Sequence, residues 1–213
     1  VSVQSANGAV FRFNPTTNQW TQYTVGQEIP GWEPPWLDVA SVMVGSDDRV
    51  YVTHSVLQGF VEFDGTTWTY HGGGSQFGGM LEDFEGNIWF LTGASGSGVW
   101  KWNGASYQSW VGLGGTSTVT GLGRDLEGTV YVSTWYGPVF KMVNGTTPQF
   151  FIDADNIPRS LIQRPNGDFW INNYGGNGTL GTVRHYDVNG NLLERLNTYN
   201  SGLPDYFIDN IEK

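Results

Sequence analysis

One motif returns along the chain at nearly constant spacing: an acidic or Gly turn followed by a short apolar run with an aromatic centre. The runs are "VYV" at Tyr51, "IWF" at Trp89, "VYV" at Tyr131 and "FWI" at Trp170, separated by 38, 42 and 39 residues. A period of roughly 40–45 residues is that of a four-stranded propeller blade. Each unit divides into four strands. A small, aliphatic inner strand ("SVMV", "GMLE", "GLGR", "SLIQ") is followed by a turn and then the aromatic strand. A loop leads to a third strand ("FVEF", "VWKW", "VFKM", "VRHY"), and an Asn/Asp-Gly turn leads to an outer strand ("TWTYH", "SYQSW", "PQFFI", "LLERL"). Such turns suit hairpins, and the third strands alternate apolar and polar residues as strands with one drier face do.

The two ends of the chain complete each other. Residues from Val1 supply second, third and outer strands without an inner one, and "SGLPDYFIDNIEK" supplies an inner strand with nothing after it. The expected fold is therefore all-β: a five-bladed β-propeller of four-stranded antiparallel blades, closed by strands from both termini. The blades would be residues 205–213 with 1–26, then 40–71, 78–111, 119–152 and 159–198, in a single domain. The rival is a slice of a longer repeat array. The chain begins at Val1 rather than Met, as expected of a processed or trimmed chain.

Three stretches carry a resemblance: "SGLPDYFIDNIEK" (Ser201–Lys213), "LEDFEGNIWFLTGASGSGVWKW" (Leu81–Trp102) and "GRDLEGTVYVSTWYGPVFKM" (Gly123–Met142). They are similar to the two-component-regulator propeller repeats, whose relatives include the streptogramin-lyase-like propellers. The resemblance implies a propeller fold and, from the sensor proteins that carry such repeats, an extracytoplasmic ligand-sensing role. The acidic turn position is kept at Asp83 and Asp125 and replaced by Gly45 and Arg164. The lyase relatives use a His and acidic set that does not map onto this chain residue by residue, so no catalytic residue is assigned.

Charge narrows the partners. Ten Lys and Arg against 20 Asp and Glu give a net charge of −10, which would repel nucleic acid or an anionic membrane surface. No apolar run reaches the roughly 18 residues that span a bilayer. With no Cys, disulfides, thiolate zinc sites and a Cys nucleophile are excluded. The three histidines, His54, His71 and His185, lack metal-ligand spacing. No metal and no cofactor is expected.

Most repeated residues have a packing explanation. Tyr51, Trp89, Tyr131, Trp170, Trp20, Trp68 and Tyr107 would fill the wedges between blades, and the Asp of each acidic turn would cap backbone N–H groups. A ligand is expected at the loop face, where function concentrates on rigid scaffolds. There the long connection "GQEIPGWEPPWLDV" places Trp32 and Trp36, the exit "STWYGP" places Trp135 and Tyr136, and "NNYGGNGTLG" places Asn173 and Tyr174. Aligned exits add Ser5, His54, Thr92 and Thr134. Polar groups beside aromatics suit a small carbohydrate-like ligand, and a protein partner is the other candidate. The bland reading is that these Trps cap the channel mouth. The expected function is a non-enzymatic extracytoplasmic binding domain. The alternatives are a lyase or hydrolase, with His54 and Asp38 or Asp205 as its one nominated group, and a structural module of a surface assembly.

Overall fold

A computed structural model describes residues 2–4, 9–24, 39–54, 58–92, 98–113, 118–155, 157–175 and 181–203. Every regular element among them is a strand apart from one residue of helical turn at Leu113. Strands β1 (Ser2–Gln4), β2 (Ala9–Asn14) and β3 (Gln19–Thr24) form a three-stranded antiparallel meander. A seven-stranded sheet contains β4 (Val39–Val44), β5 (Val50–His54), β6 (Gln58–Phe63), β7 (Trp68–Glu82), β8 (Ile88–Thr92), β9 (Gly98–Trp102) and β10 (Tyr107–Val111) in sequence order. The remaining strands are β11 (Val119–Arg124), β12 (Val130–Thr134), β13 (Pro138–Val143), β14 (Thr147–Asp153), β15 (Ile157–Gln163), β16 (Phe169–Tyr174), β17 (Thr182–Tyr186) and β18 (Leu192–Leu196). They form an eight-stranded sheet in the order β14-β13-β12-β11-β15-β16-β17-β18.

Four of the five expected four-strand meanders are visible among the described residues, the first having three strands, and the four do not form separate sheets. Strand β7 pairs with β6 over its first part and with β8 over its last, so one strand ends one meander and begins the next. The blade bounds expected from the sequence make "GGGSQF" a connection; in the structure Gly72, Gln76 and Phe77 keep ladder partners and Gly73–Ser75 bulge between them. Strands β11 and β15 join the last two meanders through parallel pairing, Gly123 opposite Leu161 and Arg124 opposite Ile162. The C-terminal strand expected to complete the first blade, residues 205–213, lies outside the described residues.

The chain divides into two compact units, Val1–Gly96 with Trp100–Ser109, and Ser97–Val99 with Trp110–Lys213. In the first, Val10, Val39, Val52, Val61, Phe63 and Trp68 form one core cluster, and Tyr51, Phe60, Phe77, Ile88 and Phe90 form another. In the second, Tyr131, Val139, Ile152, Leu161, Phe169, Ile171 and Tyr186 pack together. Each cluster draws residues from two successive meanders of one unit, so within each unit successive meanders pack against each other with aromatic side chains between them. Tyr51, Tyr131 and Trp68 belong to these clusters, Trp89 is fully buried, and Trp170 and Tyr107 are half-buried. Trp20 is 54% exposed and meets Phe13 with ring centroids 4.9 Å apart.

The acidic turns are local devices. Asp83 Oδ1 accepts the Glu85 and Asn87 backbone N–H groups at 3.0 and 2.9 Å, and Asp83 Oδ2 accepts the Trp89 indole N–H at 2.8 Å. Asp125 does the same with the N–H groups of Glu127 and Thr129 and with the Tyr131 hydroxyl. Burial, reinforced by the Asp125 charge, pushes the Tyr131 hydroxyl above its ordinary range and keeps it a donor. Gly45 and Arg164 lack that carboxylate, yet their N–H groups make the same backbone bond across the turn, to Arg49 O and Asp168 O.

Candidate functional site

The second unit presents an aromatic tip. Strands β12 and β13 are joined by Trp135, Tyr136 and Gly137, and the sequence "STWYGP" makes the join tight. The Gly137 N–H donates to Thr134 O at 3.2 Å, and the Thr134 hydroxyl donates to Pro138 O at 2.8 Å. Gly137 has φ 110°, and a Cβ there would come within 2.3 Å of Asp153 Oδ1. Only glycine fits that backbone without displacing the neighbouring loop. The Trp135 N–H donates to Thr118 O at 2.9 Å, so the tip is also tied to the residue before β11.

A second loop, between β14 and β15, buttresses the tip. The Ala154 N–H donates to Gly137 O at 2.9 Å, and the Asp155 N–H donates to Asp153 Oδ1 at 3.0 Å. The Asn173 amide on β16 donates to Ala154 O at 2.5 Å and also to Asp155 O. Arg184 on β17 is only 3% exposed, and its guanidinium donates to Asp155 Oδ2 at 2.7 Å. Three strands and two loops thus hold one backbone surface. Trp135 is 38% exposed on it and Tyr136 72% exposed. Large side chains left in water on fixed backbone can meet a ligand with little ordering cost.

The residues predicted to line the site separate into different roles. Trp135 and Tyr136 are presented to solvent. Tyr174 is half-buried, with the Arg159 guanidinium 4.9 Å from its ring centre. Asn173 and His54 are fully buried, as is Thr134. Asn173 therefore supports the platform from beneath, and the polar groups expected to face a ligand are buried at these three positions. At Thr134 and Asn173 the physical reason is that strand exits pack against adjoining loops, whose carbonyls need donors. Trp32, Trp36 and Ser5 lie outside the described residues, as do Asp38 and Asp205, the carboxylates nominated beside His54. Sequence reasoning missed Asp155 and Arg184. No motif marks either one, since they are 29 residues apart and meet only through the sheet.

The other two imidazoles are engaged structurally. His71 Nε2 lies 3.0 Å from Glu62 Oε2, and its ring stacks on Phe60 at 4.7 Å. His185 Nε2 lies 2.9 Å from Asp168 Oδ2, and its ring is parallel to Trp170 at 4.4 Å. Among the described residues, no group of three or more His, Asp or Glu side chains could hold a metal ion.

The buttress is testable. Asp155→Asn keeps a residue type that tolerates φ 51° but removes the charge facing buried Arg184. A loss of about 1.5 kcal/mol is expected in urea unfolding, between the values for exposed and for buried charged bonds. A loss within error of zero would mean that this ion pair does not hold the loop.

No protein-family model and no curated protein matches the chain. Solved structures do. PorZ, a surface component of the type IX secretion system of Porphyromonas gingivalis, superposes with a TM-score of 0.76 at 16% identity over 98% of this chain and 34% of PorZ. Virginiamycin B lyase from Staphylococcus aureus gives 0.69 at 13% identity over 89% of this chain and 63% of the lyase. The extracellular domain of a hybrid two-component system of B. thetaiotaomicron gives 0.59 at 13% identity over 94% of this chain and 32% of that domain. This chain thus spans about a third to two thirds of the length of these proteins. Among the described residues no helix is long and apolar enough to cross a membrane. The chain is all-β and shares the fold of the streptogramin-lyase-like propellers and extracellular sensor domains that its repeat resembles.

Proposed function

We propose that the chain is a non-enzymatic binding domain that acts outside the cytoplasm, a propeller of five four-stranded blades closed by strands from both termini. Its ligand, a glycan first and a peptide or protein second, is held at the loop face carrying Trp135 and Tyr136. The observation that carries this reading is the pair of adjacent exposed aromatics on a backbone tied to Thr118 and to Ala154, whose loop Asn173 and Arg184 hold in turn. Aromatic faces stack on the apolar faces of sugar rings, and neighbouring backbone and hydroxyl groups meet their edges. The extracytoplasmic setting is supported by the neighbours, which include an extracellular domain and a bacterial surface component.

A glycan array probed with the purified chain tests the proposal. Trp135→Ala and Tyr136→Ala are each expected to weaken binding of the selected glycan by about tenfold or more, as aromatic anchors do. Circular dichroism should be unchanged, because both side chains point to solvent. Full affinity in both variants would refute the proposed face. The enzymatic alternative rests on likeness to lyases crystallised with quinupristin; turnover of quinupristin by the chain would replace the binding reading with that one.

A further inference from the structure

The first unit contains a cavity that the aromatic tip does not share. Its volume is about 390 Å³. Small-ligand pockets begin at about 300 Å³ and combine apolar walls with a few polar groups. The walls here are aromatic. Phe13 on β2, Tyr23 on β3, Phe63 on β6 and Trp68 on β7 all line it. Phe63 stacks on Trp68 at 4.7 Å, and Tyr23 meets Trp68 edge-on at 5.5 Å, so three rings form one rigid surface. The Trp68 indole N–H is buried and has no hydrogen-bond partner among the described residues.

Two opposite charges line the same cavity. Arg12 projects from β2, and Asp48 sits in the turn between β4 and β5. Both are exposed. Among the described residues neither side chain forms an ion pair, with the other or with any third group. On a chain of net charge −10, an unpaired guanidinium beside aromatic walls is a local exception that can receive a carboxylate. The unpaired carboxylate can receive an ammonium group.

We propose that this cavity binds a small aromatic zwitterion, an aromatic amino acid. Its ring lies against Tyr23, Phe63 and Trp68, its carboxylate meets Arg12 and its ammonium group meets Asp48. This site is independent of the glycan reading and stands or falls by itself.

Isothermal titration of the full chain with L-phenylalanine, phenylacetate and phenethylamine tests it. L-Phenylalanine should bind saturably with a Kd of about 1 mM or tighter. Each analogue lacks one charge and should bind about fivefold to tenfold more weakly. Arg12→Gln should abolish the preference for L-phenylalanine over phenethylamine while leaving its preference over phenylacetate. Asp48→Asn, chosen because asparagine tolerates φ 64°, should do the reverse. The proposal is overturned by absence of saturable L-phenylalanine binding up to about 10 mM. It is equally overturned by equal affinity for all three compounds, or by unaltered preferences in both variants.

Discussion

Trp89→Ala is expected to destabilise the protein by about 3–5 kcal/mol, the range for removing a large aromatic from a closed core. Trp89 has no solvent-exposed surface. Two losses combine. The first is the packed volume of the indole, which also has the Lys101 ammonium 5.3 Å from its ring centre. The second is the bond to Asp83 Oδ2, a buried oxygen that also accepts the Asn87 amide at 2.9 Å. Trp89→Phe separates the two. It keeps most of the ring volume and removes the N–H, so it should cost about 1–3 kcal/mol, the penalty for one lost partner of a buried polar group. Urea unfolding of both variants gives the comparison. An alanine variant that loses less than the phenylalanine variant would show that the aromatic column is not what fixes this meander.

Gly121→Ala is expected to cost about 3 kcal/mol, at or above the upper end of what an inserted methyl group does in a packed interior. A Cβ at Gly121 would lie 1.4 Å from Arg159 O and 2.3 Å from the Arg159 carbonyl carbon. These are backbone atoms, so no side-chain rotation relieves the clash. Strands β11 and β15 would have to part where Thr120 Oγ1 donates to Pro158 O at 2.5 Å. The disturbance reaches the aromatic tip, because β11 begins next to the Thr118 carbonyl that holds Trp135. Amide exchange should therefore quicken in β11, in β15 and at Trp135. Gly79→Ala is the control. Its new methyl group meets only Leu91 Cδ1 at 3.6 Å, ordinary contact, and the stiffer unfolded chain can add up to about 1 kcal/mol of stability. Equal stability of the two variants would contradict the close approach of β11 to β15.

The strands, their turns and their order in each meander could be read from the chain because each depends on a few consecutive residues. Asp83 reaches its backbone N–H partners within four positions, and an alternating run declares which residues share a face. Tyr51, Trp89 and Tyr131, the aromatic centres of three units, are buried for the same reason, whereas Trp170 is half-buried against His185. What the chain could not declare is which exposed-looking position another element would cover. His54 and Asn173 occupy loop exits of the kind that hold ligands on other scaffolds, yet both are buried. Trp20 reads as a wedge filler and stands in water. The Arg184–Asp155 pair, the closeness of Gly121 to Arg159 and the cavity of the first unit each bring together residues from strands and loops that local sequence cannot place side by side. Local hydrogen bonding and periodicity act over one turn or one strand, so sequence determines them. Burial and charge pairing are set by neighbours about one repeat away, and only the packed sheets decide them.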